Sequence, residues 1–319
     1  MRAVAVTGAR ALFLFQAMDF ALSTNWNSFR CEDGGEIVDE ALALGFDSLE
    51  LSYRLTAEQL DGIRRRVDAG DIRVGSVHAP CPLPSPDASP TPEPFSLTAL
   101  DERERRQACA LAVGTLNAAV DFGARVVVVH AGHVTMGGLT ERIARVRRSE
   151  REPGLIQGFL IKRLMRQRRE KAADHLDSLR RSLSEILPMF ERAKIALALE
   201  NLPYWEGMPS ETEMEALLRE FKSPVLKYWH DIGHGQVREN LGVGSHLAWV
   251  QRLLPATAGC HIHDVIGLDG DHRAPGQGGI DFSEFSALAA PSIVHVFEPS
   301  PMVDRDALAE GFALVRRAW

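Results

Sequence analysis

Four strand-like segments in the C-terminal part of the chain each finish on a residue able to bind a metal. They are IALALEN at Glu200, VLKYWHD at Asp231, GCHIHD at His261 and His263, and IVHVFEP at Glu298. The intervals Glu200–Asp231, Asp231–His261 and His261–Glu298 are 31, 30 and 37 residues. One strand and one helix fit in each, the period of a barrel that alternates the two. Side chains at the C-terminal ends of successive parallel strands converge at the barrel mouth. Two Glu, one Asp and one His form a mixed O/N donor set suited to Mn²⁺, Co²⁺ or Zn²⁺. A Glu closing an apolar run such as IALALE is costly to bury without a cation. The spacing therefore predicts a metal-dependent enzyme.

Further ionisable residues fall at the same end. His78 closes a strand in SVHAP and His130 closes another in VVVVHAGH. His234 lies three residues past Asp231, and His272 follows the next strand in DGDHRAPGQG. A lone strand-end His is more often a hydrogen-bonded structural residue than a ligand. Eight ionisable residues on six successive strand ends argue for a site, with His78, His130, His234 and His272 open to a second ion or to substrate. His263 points the same way along its strand as His261, because side chains alternate; it is a ligand or a structural partner. Glu50 in SLELS reads as a substrate contact or a structural ion pair. Asn25 and Trp26 close the first strand, where the indole reads as core packing.

These residues need a scaffold of eight strands. The candidates are 20–26, 46–52, 72–79, 124–132, 194–201, 224–231, 258–264 and 292–299. Several are continuous apolar runs, as parallel strands buried on both faces require. Helical patterns lie between them, with a Thr cap at Thr56, a glycine stop at Gly45 and a capping box from Ser210 to Glu213. GQGGID (276–281) reads as the turn into the seventh helix. The expected fold is a single-domain (β/α)8 TIM barrel over residues 20–319, preceded by a leader over 1–19.

Two segments break the rhythm. Residues 79–95 hold seven prolines directly after the third strand, a stiff wall or lid beside the mouth or a plain exposed loop. Residues 133–171 form a basic insertion, with 11 Lys/Arg against 4 Asp/Glu between Glu141 and Lys171. The insertion is suited to an anionic substrate, a phosphate or a neighbouring subunit of a homo-oligomer; a solvated helical face is the plainer alternative.

The whole chain of 319 residues has a formal net charge of −7, which gives no general reason to expect nucleic-acid binding. Cys31, Cys81, Cys109 and Cys260 lie far apart without a CxxC, as expected of free thiols in a cytoplasmic protein. No apolar run approaches a membrane span, so no membrane partner is expected.

HAP after strand three, VVVHAG after strand four, LEN, DIGH, HIHD, the His272–Asp281 run H-x-x-P-G-x-G-x-I-D and the final FEP together resemble the xylose-isomerase-like TIM-barrel superfamily. That group holds sugar and sugar-phosphate isomerases and epimerases and the AP endonucleases of the endonuclease IV type. The resemblance implies one divalent ion bound by Glu200, Asp231, His261 and Glu298. It also implies that Glu200 and Glu298 act as acid/base partners on either side of a sugar carbon. The H-x-x-D pattern favours His261 over His263 as the ligand.

The nuclease members bind three zinc ions, and His78, His130, His234 and His272 match their further ligands. Gly270 stands where those members have an Asp, flanked by Asp269 and Asp271, either of which could substitute. The nuclease DNA-contacting loops are not recognisable. The expected function is thus a metal-dependent isomerase or epimerase of a small sugar, sugar phosphate or cyclitol. A metal-dependent phosphoesterase is the alternative and a non-catalytic sugar-binding barrel the third reading. One ion suggests the first, two or three the second.

Overall fold

The computed structural model describes residues 18–85, 89–149 and 154–319. In chain order the elements are β1 (Phe20–Ser23), α1 (Gly34–Ala43), β2 (Ser48–Leu51), α2 (Ala57–Asp68), β3 (Arg73–His78), α3 (Glu102–Phe122), β4 (Val126–Val129), α4 (Leu139–Ser149) and α5 (Leu155–Ala193). They continue with β5 (Ala196–Glu200), α6 (Glu211–Phe221), β6 (Leu226–Asp231), α7 (Ile232–Asn240), α8 (His246–Leu253), β7 (Thr257–Ile262), β8 (Asp264–Ile266), β9 (Gly270–Arg273), β10 (Val294–Phe297) and α9 (Arg305–Ala318). Strands β1 to β7 and β10 close into one barrel in the order β1-β10-β7-β6-β5-β4-β3-β2. Every pairing in it is parallel. This is the expected (β/α)8 barrel, and all eight strands read from sequence are its staves. Residues 1–17 of the expected leader lie outside the described residues.

Alternation along the strands decides what faces inward. Leu197 and Leu199 of β5, Ile262 of β7 and Phe297 of β10 point outward and join the apolar shell under the helices. The opposite series, Ala21, Val126, Val128, Ala198, Trp229, Val294 and Val296, fills the barrel interior. Glu200, Asp231 and Glu298 each sit two residues beyond an inward residue (Ala198, Trp229, Val296). The same period of 2 that packs the barrel therefore delivers the carboxylates to its mouth.

Trp229 forms the floor beneath them, its ring 5.0 Å from that of His261. Gly259 makes room for it: a Cβ there would lie 2.0 Å from the indole. Gly259→Ala is therefore expected to destabilise the fold by about 1–3 kcal/mol, the usual range for overpacking a core. A lowered denaturant midpoint with an unchanged slope checks it.

Helix ends follow the sequence signals. Thr56 and Gln59 form a reciprocal capping box, as do Ser210 and Glu213. Gly45 follows α1 with φ at 89°. The seventh connection departs from expectation. GQGGID leads not into an α-helix but into a 3-10 segment, Phe282–Leu288, after the antiparallel pair β8–β9. The cause is the buried Asp264 carboxylate, which accepts the backbone N–H groups of Val265, Gly276, Gly278 and Ile280 at 2.8–3.1 Å. Gly278 passes so close that a Cβ would lie 2.3 Å from the Val265 carbonyl. Pro275 and three glycines in this stretch also disfavour helix.

The basic insertion resolves into α4 and the first half of α5. All four cysteines are buried and unpaired. No helix among the described residues is long and apolar enough to cross a membrane.

Candidate metal centre at the barrel mouth

Glu200, Asp231, His261 and Glu298 come together at the C-terminal end of the barrel, all four buried. One candidate ligand atom from each lies within 4.8 Å of the others. The focus is His261 Nδ1, which stands 3.2 Å from Glu200, 3.2 Å from Glu298 and 3.6 Å from Asp231. Its other ring nitrogen, Nε2, faces the fully buried Glu50 at 3.1 Å. Glu50 is held in turn by the Ser76 hydroxyl at 2.8 Å. A carboxylate on the far nitrogen fixes the tautomer and aims Nδ1 into the centre, the arrangement that orients metal-binding histidines. Three carboxylates converging on one imidazole in a dry interior is a donor set that fits a divalent cation.

Glu200 faces two ways. One oxygen meets His78 Nε2 at 3.2 Å and His130 Nε2 at 3.3 Å. The other meets His261 Nδ1 at 3.2 Å and His234 Nδ1 at 3.4 Å. His78, His234 and His272 share a feature that the sequence does not reveal. Each sets Nδ1 against a main-chain carbonyl: Ala79 at 3.0 Å, Asn201 at 2.9 Å and Glu298 at 2.9 Å. A carbonyl only accepts, so Nδ1 carries a proton and Nε2 is the nitrogen left to meet a carboxylate, as in His78, or an ion.

His263 differs. Its Nδ1 receives the His272 backbone N–H at 2.9 Å and its Nε2 donates to Asp231 at 3.0 Å. Both nitrogens are engaged, so although it lies near His234 and His272 it serves to orient Asp231. Of the aspartates flanking Gly270, Asp271 comes to 4.0 Å from His234 Nε2, whereas Asp269 turns away to pair with Arg148.

The charges explain the titration behaviour. Burial pushes the Glu298 carboxyl up to about 7, the Glu50 and Glu200 charges adding to the rise and His261 opposing it. Burial would raise Glu200 too, but the charges of His261 and His130 and hydrogen bonds from His130 and His234 hold it well below the usual range. Asp231 is likewise held low by His234 and His263 against its burial. For His261, burial opposes protonation, and the Glu298, Glu50 and Glu200 charges overcome it and hold the imidazole well above its ordinary value.

Two residues that hold the strand ends and loops of the mouth together carried little sequence signal. Asn201 directly follows Glu200, accepts the Asp231 backbone N–H at 2.8 Å and returns its own amide to the Asp231 carbonyl at 2.9 Å, tying the ends of β5 and β6. Glu93, in the proline-rich loop, takes His133 Nδ1 at 2.8 Å and the Tyr204 hydroxyl at 3.1 Å. That loop is thereby tied to the loops after β4 and β5; its residues 86–88 lie outside the described residues. Trp26 is buried and donates its indole N–H to the Val303 carbonyl, a packing role as expected. A cavity of about 630 Å³ at the opposite barrel end, beside Asp19, Arg73 and Arg125, holds none of these donors.

The sequence matches the family described as xylose isomerase-like TIM barrel over residues 38–292. It is 25% identical over 190 residues to an uncharacterized protein of Methanocaldococcus jannaschii, covering 58% of this chain. The chain spans about half the length, 53%, of that curated relative. Among solved structures, a D-tagatose 3-epimerase-like protein superposes with a TM-score of 0.63 at 22% identity, over 94% of this chain and 99% of that one. A 3-keto-D-glucoside 4-epimerase from E. coli gives 0.66 at 15% identity, over 94% and 100%. A D-psicose 3-epimerase gives 0.66 at 14%, over 94% and 99%. Likeness at these identities establishes the fold.

Proposed function

The chain belongs to the xylose isomerase-like TIM barrel family, and on that premise we propose that it is a divalent-metal-dependent isomerase or epimerase of a small sugar, sugar phosphate or cyclitol. The observation that carries this reading is the convergence of Glu200, Asp231, Glu298 and His261 Nδ1 within 4.8 Å at the barrel mouth. Three similar folds bear the names of sugar epimerases or an epimerase-like protein, which supports the same choice. Those four residues would hold Mn²⁺, Co²⁺ or Zn²⁺. A bound divalent ion supplies positive charge against the negative charge that develops on adjacent substrate oxygens when a neighbouring carbon loses its proton.

The chain's own residues do the rest. In the metal-free protein burial pushes the Glu298 carboxyl up to about 7, whereas the surrounding imidazoles hold Glu200 ionised. Two carboxyl groups driven apart by their surroundings are a pattern suited to an acid/base pair. In this reading one takes the proton from the sugar carbon and the other returns one from the opposite face. Glu50 and His263 keep His261 and Asp231 in place.

A specific observation favours a second reading. Glu200 faces His78 and His130 with one oxygen and the central cluster with the other, and His234, His263 and His272 bring ring nitrogens together as a further group at the same mouth. A bridging carboxylate with further imidazoles suits two or three ions and thus a phosphoesterase. The test is metal-loaded protein incubated in heavy water with a ketose panel, alongside elemental analysis. Deuterium entering a carbon next to the carbonyl, with one tightly held ion, supports the isomerase. No exchange on any sugar, two or three ions and cleavage of a phosphodiester would move the assignment to the phosphoesterase.

A further inference from the structure

The insertion splits the charge of the molecule. Residues 141–171 hold 11 of the 36 Lys/Arg and 4 of the 43 Asp/Glu, so this stretch is +7 and the remainder −14. Helix α5 has 39 residues, about 58 Å of helix, whereas α3, with 21, spans about 32 Å. Its C-terminus feeds β5 at the barrel floor, so the excess length rises past the mouth. There its first turns pack one face inward, Gln157 bonding the Leu241 carbonyl at 3.3 Å. The other face carries Leu155, 96% exposed, with Ile156 and Phe159 at 59% and 64%. Lys162, Arg163 and Arg166 continue the same face over the next turns. Lys162 and Arg163 make no ion pair among the described residues, and Arg166 only reaches Glu170 at 4.0 Å within the helix.

A complementary patch lies across the mouth. Met302, in the loop after β10, is 83% exposed, and Phe29, in the loop after β1, is 55% exposed. The two loops are joined where Trp26 bonds the Val303 carbonyl. Around them Glu32, Glu36 and Asp306 are exposed and take part in no salt bridge among the described residues, whereas Arg30, stacked over Phe29, is paired with Glu40 and Arg305 reaches the Ala43 carbonyl. One patch is apolar with a basic flank, the other apolar with an acidic flank.

We propose that the α5 tip docks on the Phe29–Met302 rim of a second copy of this chain, forming a two-fold dimer mouth to mouth. The barrel order supports this geometry. The rim lies on β1 and β10, four and three places from β5, which α5 feeds, and the tip leans on Leu241 beyond β6, so tip and rim occupy separate sectors of one mouth. A two-fold axis lying in the plane of the mouth then sets each tip over the partner's rim in one operation, a closed isologous assembly. Tip-to-tip contact would oppose like charges. A nucleic-acid backbone would leave Leu155 and Ile156 without apolar partners. The dimer buries both apolar patches and pairs the charges, and each tip shields the other copy's site.

The test uses the full chain in sedimentation equilibrium at low and moderate salt. The expected result is a dimer whose dissociation constant rises at least about 30-fold in the double variant Leu155→Glu, Phe159→Glu and in Met302→Lys, the effect of losing an interface hot spot. All three positions are exposed, so circular dichroism should be unchanged. A charge exchange gives the decisive arm. The tip variant Arg163→Glu, Arg166→Glu and the rim variant Glu32→Arg, Asp306→Arg should each be monomeric alone. Mixed, they should form a heterodimer, because both contacts in the mixed pair are attractive.

A monomeric wild type at 100 micromolar-scale loading (on the order of 10⁻⁴ M), a dimer indifferent to either patch, or a mixture that stays monomeric overturns the proposal. So does a monomeric wild type whose tip instead binds phosphatidylserine vesicles or duplex DNA.

Discussion

Glu200→Gln is expected to leave the purified protein with little bound divalent metal. The substitution keeps the shape of the side chain and removes its charge, and Glu200 is the residue on which the cluster turns. Its two oxygens meet four imidazoles at 3.2–3.4 Å, His78 and His130 on one side and His261 and His234 on the other. A neutral amide there leaves two carboxylates, Asp231 and Glu298, to balance a divalent charge. Removing an outer partner of a metal site usually costs 10–100-fold in affinity, roughly, and a direct ligand should cost more. Asp231→Asn should act in the same direction, and it leaves His263 an amide oxygen in place of a charged carboxylate. Elemental analysis after dialysis against a weak chelator reads the result; unchanged content would mean that the ligands are misassigned.

The same cluster fixes the sign of the pH dependence. In the metal-free protein the surrounding carboxylates hold the His261 imidazole protonated well above its ordinary range. A cation must displace that proton, so metal uptake should release protons and weaken as the pH falls.

The barrel was legible because it rests on strong periodic signals. IALALEN and VVVVHAG alternate or run apolar over a full strand, and the glycine and Ser/Thr caps sit at the ends where α1, α2 and α6 stop or start. The ligand positions were legible for the same reason: a residue two places beyond an inward-facing one must also face inward. What stayed hidden depends on contacts between segments far apart in sequence. Glu50 lies 211 residues from His261, and nothing near it in SLELS announces that it will meet an imidazole. The roles of His261 and His263 are separated only by which nitrogen meets which partner. The β8–β9 pair and the 3-10 segment were missed because one buried carboxylate, Asp264, gathers four backbone donors across sixteen residues and overrides the local reading.

Glu298→Gln is expected to retain sugar binding and lose turnover, and the asymmetry between the two glutamates is the reason to test it separately. Glu298 lies 3.2 Å from His261 Nδ1 with a single close ionic partner, whereas Glu200 is surrounded by four. In the metal-free protein burial raises the Glu298 carboxyl to about 7, which makes it the readier of the two glutamates to take up a proton. The amide preserves volume and one acceptor oxygen but cannot carry that proton. Loss of a positioned acid or base costs about 10²–10⁴-fold in rate. The measurement is deuterium uptake from heavy water by the responsive ketose at saturating sugar and metal, compared with binding of the same sugar by calorimetry. A fall in exchange by that factor with binding kept within a few-fold assigns the proton transfer to Glu298. A parallel loss of both would make Glu298 a ligand alone and leave the proton to another group. Undiminished exchange would remove it from the chemistry altogether.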